Sequence, residues 1–172
     1  MHTYRILMAS CAALGALGGC ASGGHDHSGL TTALAAKSGS NVSGSIHFSE
    51  HRGMVRVRGT VRGLEANSEH GFHVHEKGDC SAADAASAGG HFNPGNTAHG
   101  AASAAVHHAG DLPSLKADAQ GVAHIDVTVS GVTLGEGPTS IKGRSLVVHG
   151  KPDDFNTQPS GNAGPRVACG VI

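Results

Sequence analysis

His73 and His75 lie two residues apart in the stretch HGFHVHEKGDC, flanked by Phe72 and Val74. On a β-strand, residues i and i+2 share a face, so both imidazoles can reach one metal ion while Val74 turns into the core. Further along, GGHFNPGNTAHG supplies His91 and His99, and HHAGDLP supplies His107, His108 and Asp111. His108 and Asp111 are three apart across a glycine turn, a spacing that suits a chelating loop. Histidines with one carboxylate form a donor set appropriate to Zn²⁺. A last histidine, His149, ends SLVVHG. Two more, His25 and His27, flank Asp26 near the N-terminus. They read either as part of a solvated linker or as a weak metal-capture site.

Such ligands need rigid elements behind them. In MVRVRGTVRG, Val55, Val57 and Val61 alternate with Arg56, Arg58, Thr60 and Arg62, the period of a strand with one buried and one wet face. HIDVTV repeats the pattern, with Ile125, Val127 and Val129 facing in. SLVVHG and RVACGVI are further strand candidates, and no stretch past the N-terminal region shows a long amphipathic helix. The Ala-rich SAADAASAGG has no large apolar residue to dock it. Two long Gly/Pro-rich connections, about 76–115 and 149–166, hold most of the unusual residues. Loops of this length in a compact domain are usually functional or disordered, and the ligand candidates in these two point to function. Short strands separated by turn signals predict an antiparallel sandwich or barrel.

The chain has 172 residues, enough for one domain and a tail. It has no Trp, one Tyr and four Phe, so its core must be built of Val, Ile, Leu and Ala. Lys and Arg number 12 against 13 Asp and Glu, without the basic footprint that nucleic-acid binding requires. Residues 1–19 read as a secretory signal: Arg5, an apolar run from Ile6 to Leu17, then small residues. The run is too short for a stable membrane span. Residues 20–41 are rich in Gly, Ser, Ala and Thr and read as a flexible tether. With Cys11 inside the signal and Cys20 at its end, Cys80 and Cys169 remain. In an exported protein such a pair reads as one disulfide. It would close a loop of 89 residues, worth roughly 4–5 kcal/mol by chain entropy.

GFHVHEKGDC, GGHFNP, HHAGDLP, LVVHGKPDD and GNAGPRVACGVI occur in the order found in the copper–zinc superoxide dismutase family, and the chain resembles its bacterial exported branch over residues 42–172. Leu17-Gly18-Gly19-Cys20 likewise resembles a bacterial lipobox. That likeness implies lipidation of Cys20, membrane contact through it, and a periplasmic lipoprotein. The family resemblance implies a Greek-key β-barrel or flattened sandwich of about eight strands, with copper and zinc as cofactors and superoxide as substrate. His73, His75, His91 and His149 would be the copper ligands. His91, His99, His108 and Asp111 would be the zinc ligands, with His91 bridging and taking part in proton transfer. Asp153 would link a copper ligand to a zinc ligand, Arg166 would guide the anion beside copper, and His70 would pin loop backbone. Ser160 stands where the family has a threonine at the channel rim. No aromatic patch marks a subunit interface, which leaves monomer and homodimer both open.

Overall fold

A computed structural model describes residues 29–172. The expected signal over 1–19, Cys20, and the first part of the expected tether lie outside the described residues. Among the described residues, regular structure consists of nine strands and one short 3₁₀ turn, Ala86–Ala88. The strands are β1 (Leu30–Ala36), β2 (Ser43–His51), β3 (Met54–Arg62), β4 (Glu69–His70), β5 (Phe72–His75), β6 (Leu115–Lys116), β7 (Ala123–Val129), β8 (Ser145–His149) and β9 (Arg166–Val171). Seven of them form one curled antiparallel sheet in the order β5-β8-β9-β1-β2-β3-β7, and β4 pairs with β6 in a short ribbon. This is the all-β, Greek-key type of architecture that the sequence predicts. The two extended connections fall between β5 and β6 and between β8 and β9.

The β2–β3 hairpin shows why these residues fold locally as they do. His51 pairs with Met54 across the two-residue turn Arg52-Gly53, whose φ angles are 52° and 74°. Two positive φ values in succession match the twist of the flanking strands, and glycine at the second position meets one of them without a steric cost. The turn sets the register, and the register puts Val55, Val57 and Val61 into the core while Arg56, Arg58 and Arg62 face water. On β7, Ile125 is buried, whereas Val127 and Val129 are only partly covered. The main core joins Ile46, Phe48, Val57, Phe72, Val74 and Leu146 across the curled sheet. Each such side chain contributes about 1.5–3 kcal/mol when fully withdrawn from water.

The expected flexible tether over 20–41 is corrected, in its described part, by strand β1. Residues 30–36 pair with β2 on one side and β9 on the other, with Thr32 and Leu34 buried. The local sequence, LTTALAA, carries too weak an apolar period to announce a strand. Pairing with neighbours on both sides supplies what the side chains lack.

The Ala-rich stretch does dock, although it lacks a large apolar side chain. Ala85 and Ala88 are fully buried against Val147 and Cys169, in a small second core beside Cys80. Small residues here let the loop backbone approach β8 and β9 closely.

Candidate metal centre

β5 is an edge strand of the sheet, and the first long connection covers its outer side. Phe92 N–H donates to Val74 O, Val74 N–H donates to Gly110 O, and Gly110 N–H donates to Phe92 O, each at 2.8 Å. His75 thereby lies opposite His91, and His73 opposite Asp111. The Arg144 guanidinium sits 3.6 Å above the Phe92 ring and donates to Glu76 O, which fixes the segment that carries His91. His149 comes from the end of β8, where a bulge breaks the pairing with β9 and sets it against Arg166.

Two groups of ligand atoms result, each within 4.8 Å of one another: His73, His75, His91 and His149, and His91, His99, His108 and Asp111. His91 belongs to both. All seven residues are withdrawn from solvent, none more than 9% exposed.

Hydrogen bonds decide which ring nitrogens remain bare. His73 Nε2–H donates to Asp153 Oδ2 at 2.7 Å, so its Nδ1 carries a lone pair, and that atom is buried with no partner. His75 Nδ1–H donates to Gly89 O at 2.9 Å, leaving Nε2 bare. It faces His149 Nε2 at 3.3 Å, while His149 Nδ1 points to Gly164 O at 3.4 Å. His91 Nε2 is buried without a partner. Several lone pairs converging in one buried place repel one another, and a cation among them relieves that repulsion. Burial holds the imidazoles neutral: His73 is lowered to about 4 and His149 to about 3, and His75 lies well below the ordinary range. Neutral imidazole is the ligating form, and an all-imidazole set suits copper.

In the second group, Asp111 Oδ1 is faced by the Nδ1 atoms of His91, His99 and His108 at 3.0, 3.1 and 3.5 Å. His99 Nε2–H donates to Asp153 Oδ1 at 2.9 Å, and in a neutral ring Nδ1 then turns a lone pair toward the carboxylate. A neutral ring in that contact needs a cation between the two groups. Burial opposes ionisation of Asp111, but the hydrogen bonds from His91 and from the His108 backbone outweigh it and hold its carboxyl down to about 2. Three nitrogens and one carboxylate make a closed four-donor set fit for zinc.

Asp153 spans the two groups, one oxygen on His73 and the other on His99, and its Oδ1 also accepts Phe155 N–H at 2.7 Å. Burial again opposes ionisation, yet these hydrogen bonds hold the carboxyl strongly down. Such partners fix the orientation and tautomer of ligating rings. Gly161, with φ 63°, packs so tightly here that a Cβ would lie 1.8 Å from Asp153 Oδ1. His70 Nδ1–H donates to His149 O at 2.8 Å, and its Nε2 lies 2.7 Å from Ser68 Oγ, a backbone pin.

A cleft of about 350 Å³ opens on the first group, lined by His75, His91, His149, Ser160 and Arg166 among others. The half-buried Arg166 donates from Nη1 to Ala85 O and from Nη2 to Gly89 O, both at 2.6 Å. Gly89 O thus receives both His75 and Arg166. Cys80 and Cys169 form the disulfide, Cα atoms 5.8 Å apart. Cys20, expected to be lipidated, lies outside the described residues.

Sequence reasoning missed three supports of this site. Lys37 donates from Nζ to Cys80 O and Ala82 O, and Ser38 Oγ donates to Arg166 O at 2.8 Å. Gln158 grips the backbone of His99. Each acts on main-chain atoms, and a main-chain partner leaves no trace in residue types or spacing.

The sequence profile described as copper/zinc superoxide dismutase matches residues 42–172. The extracellular copper–zinc superoxide dismutase of Brugia pahangi is 43% identical, covering 77% of this chain and 69% of the relative. The copper–zinc superoxide dismutase of Onchocerca volvulus is 42% identical, covering 83% and 95%. Copper–zinc superoxide dismutase 2 of Aquifex aeolicus is 41% identical, covering 76% and 79%. Among solved structures, that of the clock protein EA4 superposes with a TM-score of 0.76 at 39% identity, covering 83% of this chain and 92% of that one. Two histidine-rich ligand groups sharing one ring, on this fold and with these relatives, make the chain a member of the copper/zinc superoxide dismutase family, an oxidoreductase that uses copper and zinc to dismutate superoxide.

Proposed function

We propose that His73, His75, His91 and His149 hold the copper and that His91, His99, His108 and Asp111 hold the zinc, with His91 shared. The observation that carries this division is the pattern of bare nitrogens. His73 Nδ1 and His91 Nε2 are buried and unpartnered, while the Nδ1 atoms of His91, His99 and His108 turn to Asp111.

Two superoxide anions and two protons become dioxygen and hydrogen peroxide. Bound copper supplies the one-electron couple that oxidises the first anion and reduces the second. The chain does the rest. Arg166 spends two N–H groups on Ala85 O and Gly89 O, which leaves others for a small anion entering the cleft. His91 Nε2 is the chain atom suited to hold a proton and pass it to the peroxide as it forms. Its Nδ1, committed to the Asp111 group, keeps the ring in place during that exchange. Asp153 orients His73 and His99 together, and Ser160 narrows the rim.

His149→Ala should abolish turnover while zinc uptake and circular dichroism stay near wild type, because His149 touches only the first group. Metal content, spectra and superoxide removal measured on one preparation check this. Full activity in the variant would sink the copper assignment, and two metals bound by wild type without turnover would point to metal storage.

We also read residues 1–19 as a leader and Cys20 as a lipidation site that tethers residues 42–172 outside the cytoplasm, in the manner of a bacterial periplasmic lipoprotein. The lipobox-like Leu17-Gly18-Gly19-Cys20 and the extracellular Brugia pahangi relative support export. Fatty-acid labelling should mark wild type and not Cys20→Ala, and an unlabelled, soluble wild type would reject the tether.

A further inference from the structure

Asp153 is not the sole side chain of the second long connection that reaches His99. The Gln158 amide forms a reciprocal pair with the His99 backbone: Oε1 accepts His99 N–H at 2.8 Å, and Nε2 donates to His99 O at 3.0 Å. Nε2 also donates to Asn156 O at 3.2 Å, which ties the grip to its own loop. The next two residues, Pro159 and Ser160, line the cleft over the copper group. Gly161 follows, and a Cβ there would come within 2.6 Å of His99 Nε2. One zinc-group histidine is therefore held at its backbone by Gln158 and at its ring by Asp153, and the two residues that follow Gln158 form part of the cleft rim.

We propose that Gln158 is a positioning residue that couples occupancy of the zinc group to the geometry of the cleft rim. The inference rests on the assignment of His91, His99, His108 and Asp111 to zinc. A cation held by His91, His99, His108 and Asp111 would fix the position of His99. The amide pair passes that constraint to residues 158–161, and Pro159 and Ser160 stop drifting across the entrance. Coupling of this kind is reciprocal, so an ordered rim tightens zinc by the same factor by which zinc orders the rim.

The test uses full-length protein, with zinc affinity measured by chelator competition and rim order by amide exchange at Gly161, whose N–H donates to Thr157 O at 2.7 Å. Gln158→Met keeps the side-chain length and loses both bonds. It should weaken zinc roughly tenfold, the lower end of what support of a ligand is worth. It should also reduce, several-fold, the extra Gly161 protection that zinc confers on wild type. Gln158→Glu keeps the acceptor for His99 N–H and should recover part of both effects, in 0.5 M salt as well as at low ionic strength. A merely structural role would lower Gly161 protection equally with and without zinc. That result, or zinc affinity within twofold of wild type in Gln158→Met, overturns the proposal. Asp111→Asn separates the two levels: undiminished zinc uptake in that variant would remove the site assignment itself.

Discussion

At the scale of single residues, the site is built from tautomers. Three of the candidate rings give one nitrogen to a protein partner and leave the other for a metal: His73 through Asp153, His75 through Gly89 O, His99 through Asp153. Arg166 follows a similar division, two N–H groups for carbonyls and the remainder for an anion. Arg166→Ala should leave both metals bound and lower kcat/KM tenfold or more, since a charge-assisted hydrogen bond is worth about 1.5–3 kcal/mol. Lys at this position should restore part of the attraction without the planar fork. Steady-state kinetics at low salt check it, and unchanged kinetics in the alanine variant would reject the role. Of the proposed ligands, His73 and His75, and His108 with Asp111, stand out in the sequence because histidines at i and i+2, and a histidine three before an aspartate, have a direct geometric meaning; the grouping of these with His91, His99 and His149 comes from the family resemblance. Gly89 was not legible, because what matters there is its carbonyl, an atom every residue has.

At the scale of elements, strands with large β-branched residues were legible and strand β1 was not. Its alternation rests on Thr32 and Leu34 alone, and its stability comes from β2 and β9. The same segment goes on to hold the disulfide loop, with Lys37 on the carbonyls of Cys80 and Ala82. The disulfide and β1 therefore act on one stretch of backbone, which also carries Ala85 O and Gly89 O beneath Arg166. Cys80→Ser combined with Cys169→Ser should cost roughly 2–5 kcal/mol of stability. It should also lower activity at temperatures where the variant is still folded, because the loop can then drift from Arg166. Zinc should offset part of the stability loss, since its binding free energy adds to folding of the same loop. Melting temperature and activity, with and without zinc, separate the two effects. Full metal-replete activity below the transition would reduce the disulfide to a staple.

At the scale of the whole molecule, the metal groups burden the fold when no metal is bound. His73 and His149 titrate near 6.5 in an unfolded chain, and burial lowers them to about 4 and about 3 in the native one. Below pH 6.5 the unfolded state therefore takes up protons that the folded state refuses. Their contribution is fully present above pH 6.5 and is lost as pH falls toward the folded values, at roughly 1.4 kcal/mol per pH unit for each group. Asp111, lowered from 3.8 to about 2, adds to the loss only below pH 3.8. Metal-free protein should thus show a melting temperature that declines from pH 6.5 to pH 4, and the metal-loaded form, whose ligand rings are also unprotonated, should decline alongside it from a higher value. Thermal scans of both forms across that range check the slope, and a flat metal-free profile would contradict it.

The order of strands across the sheet also has a consequence in time. β9 lies between β8 and β1, and it carries both Arg166 and Cys169. Until β9 docks, β1 can pair only with β2, and β8 only with β5. The candidate ligands from His73 to His149 all precede Arg166 and Cys169 in the chain. A folding chain can therefore bring the candidate metal-binding side chains together before the arginine and the disulfide are in place, and closure of the sheet by β9 completes the cleft.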